Sequence, residues 1–155
     1  MPAPAFAFPP CRSHDLFWRL EEYPAVLQRN PADEVYWLKW DSSFSGDAIV
    51  RVARIGTDVL VSRQHRSSRF GKLRSRSARL TMSDWSRLED AVVAANFWML
   101  DERIMLDIGC DGADWLLAGC RRREYHLVKR WSPDDLLFDV GRLMFDLAGL
   151  DEVRL

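Results

Sequence analysis

The chain has 155 residues, 22 basic and 23 acidic side chains and a formal charge of −1. That length fits one domain able to bury roughly 70% of the surface its unfolded form exposes, and the charge balance argues against a wholesale polyanion binder or an acidic disordered tail. Three cysteines, Cys11, Cys110 and Cys120, form no Cys-x-x-Cys pair, which argues against a four-thiolate zinc site and a secreted disulfide framework.

The first ten residues, Met-Pro-Ala-Pro-Ala-Phe-Ala-Phe-Pro-Pro, lack the basic start and long apolar core of a signal peptide, and their prolines prevent a continuous helix. No other window approaches the ~18 uninterrupted apolar residues of a spanning segment. The expectation is a cytoplasmic protein in a reducing compartment, without membrane contact, metal or cofactor. Residues 1–12 read as an extended arm and 13–155 as one domain.

Ser13 is placed to cap a first helix carrying Leu16, Phe17, Leu20 and Tyr23 on one face, which Pro24 interrupts. Glu34 to Asp41 alternates Val35, Trp37 and Lys39 with Tyr36, Leu38 and Trp40, an aromatic-rich strand with two usable faces. Asp41 to Asp47 is a polar turn. Ala48 to Ile55 and Thr57 to Gln64 make a hairpin around Gly56-Thr57, where glycine supplies the positive φ of a two-residue turn. Lys72 to Met82 is a further strand, handing over at Ser83-Asp84 to a helix lined by Trp85, Leu88, Val92 and Ala95 and ending near Asn96.

The acidic connection from Asp101 to Cys110 leads to a turn at Asp111-Gly112 and a hairpin of Ala113–Cys120 with Glu124–Trp131. Ser132-Pro133-Asp134-Asp135 then announces a helix: a hydroxyl cap, a proline without an amide hydrogen at the first position, and two carboxylates at the positive end of the dipole. Leu136, Leu137, Val140, Leu143, Met144 and Leu147 form its apolar stripe, and Gly149 with Leu150 closes it. The strand-to-helix handovers at Met82-Ser83-Asp84-Trp85 and Trp131-Ser132-Pro133-Asp134 echo each other. The expected fold is α+β, an antiparallel sheet of five or six strands with two or three helices packed on one face. Hairpins outnumber crossovers, which disfavours a doubly wound nucleotide fold.

Asp111-Gly112-Ala113-Asp114-Trp115, Tyr125-His126-Leu127-Val128-Lys129-Arg130-Trp131-Ser132-Pro133 and Leu147-Ala148-Gly149-Leu150 together resemble a pattern in small uncharacterised bacterial proteins with a D-G-x-x-W hairpin and a Y-H-x-V-x-x-W-S-P strand end. The resemblance covers Leu80 to Leu150 and implies a shared fold unit without a known activity. The arginine-rich half lies outside it.

Between Ser62 and Leu80, Arg63, Arg66, Arg69, Lys72, Arg74, Arg76 and Arg79 occur with no acidic residue among them, and Arg121, Arg122, Arg123 and Arg130 add to the basic side. Lys72, Arg74 and Arg76 fall on one strand face at period two, suited to an RNA, DNA or other phosphate-rich ligand. The plainer explanation is a soluble, pairing-resistant edge, and no stacking platform is evident among the serines. Seven tryptophans fit core positions better than a groove, with Trp40, beside the Asp41 turn, the one expected to be partly exposed.

A hairpin register summing to 246 would set Cys120 against His126 and Trp115 against Trp131, making Cys120, or Cys110, with His126 a weak candidate for a thiolate-imidazole pair. A buried cysteine in a strand is the commoner case, and no oxyanion hole is apparent. Cys11 and His14 have ligand-like spacing without a second pair to complete a site. Asp101, Glu102, Asp107, Asp111 and Asp114 read as turn chemistry rather than a calcium loop. Acid in one loop and base in another favour recognition of another protein, in the manner of an inhibitor, immunity or accessory protein, with no catalytic role.

Overall fold

The computed structural model describes residues 32–102, 111–122, 124–151 and 153. The extended arm, the helix expected from Ser13, and Cys11, His14, Asp107 and Cys110 lie outside the described residues. Among the described residues, six strands form one antiparallel sheet: β1 (Glu34–Ser42), β2 (Gly46–Ile55), β3 (Asp58–Arg66), β4 (Arg74–Leu80), β5 (Ala113–Arg121) and β6 (Glu124–Trp131). Two helices, α1 (Met82–Ala94) and α2 (Leu136–Leu147), complete an α+β fold, with a short 3-10 turn at Phe97–Met99. No helix among these residues is long and apolar enough to cross a membrane.

The strand order is β4-β3-β2-β1-β5-β6. The first four strands run outward as a meander from the central strand β1, and α1 carries the chain back to add β5 and β6 on its other side. Register keeps the pleat consistent across the sheet. Leu38 lies opposite Val50 on β2 and Leu117 on β5, and Leu117 lies opposite Val128 on β6. Because opposed residues share a face, Tyr36, Leu38, Trp40, Val50, Val52, Val61, Trp115 and Val128 join one buried cluster. Trp85, Leu88 and Val92 of α1 and Leu137, Val140, Met144 and Phe145 of α2 belong to the same cluster. The alternate residues Val35, Trp37, Ala53, Ala118 and Cys120, with Ala32, make a second cluster containing no residue of either helix.

Both helix starts differ in detail from expectation. The cap of α1 is Thr81, two residues before Ser83: its hydroxyl accepts from the Asp84 amide at 3.1 Å, and the Asp84 carboxylate accepts from the Thr81 amide at 3.0 Å. This reciprocal box satisfies two amides that the first turn leaves open. The cap of α2 is Asp135, accepting from the Leu137 amide at 2.9 Å. Ser132 is already engaged, because its hydroxyl accepts from the Ala113 amide at 2.9 Å and closes the end of the sheet instead. The C-terminus of α2 follows expectation: Gly149 adopts φ +69, its amide donates to Asp146, and the Leu150 amide reaches back to Phe145 at 2.8 Å.

The stripe on α2 is shifted. Leu136 is 51% exposed, whereas Gly141 and Phe145 are buried. Gly141 meets the ring of Trp115, where any side chain would overlap the indole. Trp40, expected near the surface, is 1% exposed, with its ring 5.7 Å from that of Phe145. Its neighbours across the sheet, Ala48 and Trp115, place it in the middle of the larger cluster although Asp41 follows it immediately.

Candidate functional site

The hairpin register of β5 and β6 sums to 245, one residue from the value that would have set Cys120 against His126. Cys120 therefore lies opposite Tyr125, His126 opposite Gly119, and Trp115 opposite Arg130. Since a one-residue slip exchanges faces, Cys120 and His126 point to opposite sides of the sheet. Cys120 is also disulfide-bonded, so it has no thiol to ionise, and the expectation of reduced cysteines does not hold for it. His126 has a structural post: Nε2 donates to the Leu100 carbonyl at 2.8 Å, and the imidazole stands edge-on to Phe97 at 5.1 Å.

That contact belongs to a bracket along the outer side of β6. The Lys129 amide donates to the Glu102 carbonyl at 2.7 Å, and the buried Arg130 guanidinium donates to the carbonyls of Asp101 at 2.8 Å and Glu102 at 3.2 Å. Arg130 thus ties down chain rather than presenting charge to a partner. Arg121 lies over the Trp98 ring at 4.1 Å and pairs with Glu124 at 2.9 Å. Arg123 lies outside the described residues. Asp114, one of the expected acidic group, sits 3.9 Å from Lys129.

The opposite edge is β4. No described residue hydrogen-bonds to its outer amides and carbonyls, and most of its side chains are exposed. The structure sorts the arginine-rich stretch into three groups. Arg66 and Arg79 are paired, with Asp47 at 3.7 Å and Asp58 at 3.3 Å. Arg69 and Lys72 lie in the loop between β3 and β4, so Lys72 does not continue the strand face, which begins at Arg74. Arg63, Arg74 and Arg76 share one face, where Arg63 lies opposite Arg76 and His65 opposite Arg74.

His65 escaped sequence reasoning, although Arg63-x-His65 facing Arg74-x-Arg76 is legible as two period-two pairs once the strands are aligned. Arg63 is anchored by a 2.9 Å hydrogen bond from Nη1 to the Gly149 carbonyl at the end of α2. Burial and the neighbouring Arg76 charge hold its guanidinium below the ordinary arginine value, with Asp151 opposing the shift. Burial, then Arg63, lowers His65 from the usual histidine range; Asp47 acts in the other direction and Arg74 in the same one. Burial is the larger cause of both shifts, and the neighbouring arginines act in the same direction. Beside Arg63 and Arg76, a cavity of about 150 Å³ is lined by Val61, Ala78, Asp146 and Gly149 among others.

At the loop end of this hairpin two aromatics protrude. Phe44, in the turn between β1 and β2, is 74% exposed, and Phe70, in the loop between β3 and β4, is 95% exposed. The loops meet at Gly46, whose φ is +92 and where a Cβ would overlap the Arg66 carbonyl. Phe70 sits inside the arginine-rich stretch, so the serine-only description of that segment is incomplete. Its flanking Arg69 and Gly71 were the available signal of a turn that would push the ring outward.

No protein-family model matches the chain, and no curated protein is similar to it.

Proposed function

We propose that this chain is a non-catalytic protein-interaction domain that takes up an acidic, extended segment of its partner along β4. The observation that carries the reading is the contrast between the bracketed β6 edge and the open, arginine-bearing β4 edge. An open edge offers a row of backbone donors and acceptors to an incoming strand. Its arginines decide which strand: a second copy of β4 would bring cations against cations, whereas an acidic strand meets opposite charge at alternate positions. Arg74 and Arg76 would meet carboxylates on one face, while Arg79 on the other is paired with Asp58. Phe44 and Phe70 supply exposed aromatic area in the loops beside the edge, as partner contacts commonly require. In this reading both helices cover the same face of the sheet, a packing supported by the cluster they share, which leaves the edge clear.

The test is titration of a labelled peptide of alternating glutamate and valine, followed by fluorescence anisotropy. Saturable binding to the native chain, weakened at least tenfold by Arg74→Glu with Arg76→Glu, is the expected result. No binding at low salt would reject the reading. Phe70 beside Arg69 and Lys72 favours a second reading, single-stranded RNA or another phosphate-rich ligand, with base stacking on the ring. That alternative requires RNA to bind more tightly than the peptide, with a steep loss of affinity as salt rises.

A further inference from the structure

Arg63, His65, Arg74 and Arg76 form a two-by-two square of cationic or protonatable side chains on one face of adjacent strands. Directly opposed residues stand about 5 Å apart at Cβ and alternate residues about 7 Å apart along a strand. The electrostatic influences of Arg76 on Arg63, and of Arg63 and Arg74 on His65, mark three sides of the square as interacting. Arg74 and Arg76 make no ion pair with a described carboxylate. The nearby acids have other relations: Asp146 pairs with Arg142 at 3.5 Å, Asp47 with Arg66 at 3.7 Å, and Asp151 acts on Arg63 from beyond the end of α2.

An anion placed among these side chains would relieve their mutual repulsion. Solubility alone does not require opposed arginines, because Arg79 on the same strand is paired with Asp58. Arg63 is fixed by Gly149 through one nitrogen, which leaves other donors of its planar fork for a ligand. The adjoining cavity of about 150 Å³ has room for about five waters at about 30 Å³ each, so a tetrahedral oxyanion fits beside the pair. Convergent guanidiniums suit phosphate oxygens, which accept bidentate hydrogen bonds and carry more charge than a single carboxylate.

We infer that Arg63, Arg74, Arg76 and His65 form a binding site for a phosphate monoester carried by the extended segment that docks on β4. This rests on the reading of β4 as a docking edge and adds phosphorylation as a condition of tight binding. Arg63 and Arg76 clasp the phosphate, while Arg74 and His65 close the side toward the loop. The added phosphate strengthens docking by pairing with guanidiniums, of which Arg74 and Arg76 make no ion pair with a described carboxylate.

The experiment compares an acidic peptide containing phosphoserine with its unphosphorylated serine counterpart, by calorimetry on the full chain, with inorganic phosphate as competitor. The phosphopeptide is expected to bind at least tenfold more tightly, to be displaced by millimolar phosphate, and to lose most of that advantage in Arg63→Gln and in Arg76→Gln. Arg76→Gln removes no hydrogen bond of the fold, so its loss of binding cannot be assigned to misfolding. Equal binding of both peptides would overturn the phosphate site and leave the acidic-strand reading standing. Failure of both peptides, with inorganic phosphate still shifting the His65 and Arg63 resonances, would support the site and reject the strand. Absence of any response to phosphate, or a phosphopeptide advantage left intact by both substitutions, would overturn it.

Discussion

The β6 and β4 edges of the same sheet solve the problem of unpaired backbone in opposite ways. At β6 the chain returns on itself, with the Lys129 amide donating to Glu102 and Arg130 buried among main-chain carbonyls. At β4 no described residue bonds to the outer backbone, and Arg74, Arg76 and Arg79 are exposed. The same residue type serves both ends. Its work depends on burial, because a guanidinium removed from water must satisfy its donors internally, whereas an exposed one remains available to a partner.

This contrast predicts unequal costs of removing an arginine. Arg130→Ala removes a buried guanidinium that donates to the carbonyls of Asp101, Glu102 and Lys129, so urea unfolding should record a loss of about 3 kcal/mol. A loss below about 1 kcal/mol would show that the bracket contributes little. Arg76→Ala at the other edge should change stability by less than about 0.5 kcal/mol, since an exposed side chain without a fold contact is removed. A larger cost would move Arg76 from recognition to folding.

Between these lies the cap that starts α1 immediately after β4. Thr81→Ala should cost about 1 kcal/mol at neutral pH, measured by the same unfolding curves. Hydrogen bonds from the Thr81 amide and hydroxyl hold the Asp84 carboxyl below its usual range, against a smaller opposing effect of burial. A depressed carboxylate contributes stability that is present above the unfolded value of about 3.9 and is lost as pH falls through the folded one. The native chain should therefore lose stability more steeply than Thr81→Ala below about pH 4. Parallel acid limbs would show that the Thr81 hydroxyl contributes nothing to the Asp84 shift beyond the backbone amide.

Much of this architecture was legible because local signals agree with the pleat. Gly56-Thr57 makes the two-residue turn, with Ile55 opposite Asp58, and Gly149 ends α2 as its φ requires. Trp85, Leu88 and Val92 face inward at helical spacing. The failures share a cause, which is competition that spacing does not reveal. Ser132 was a good helix cap until Ala113 claimed its hydroxyl, and Trp40 was placed by its neighbours across the sheet rather than by Asp41 beside it. The Cys120 and His126 expectation turned on a single residue of register. The basic square needed tertiary alignment, since Arg63 and Arg76 are opposed across a loop whose length cannot be converted into register by sequence alone.

The receptivity of β4 is tested most directly by amide hydrogen exchange with and without the alternating acidic peptide. The amides of Arg74–Leu80 that point away from β3 should become slower to exchange when peptide is added, while the Lys129 amide, already bonded to Glu102, should keep its rate. Peptide binding that leaves the β4 amides unchanged, or slows only those of β6, would contradict strand addition at the arginine edge.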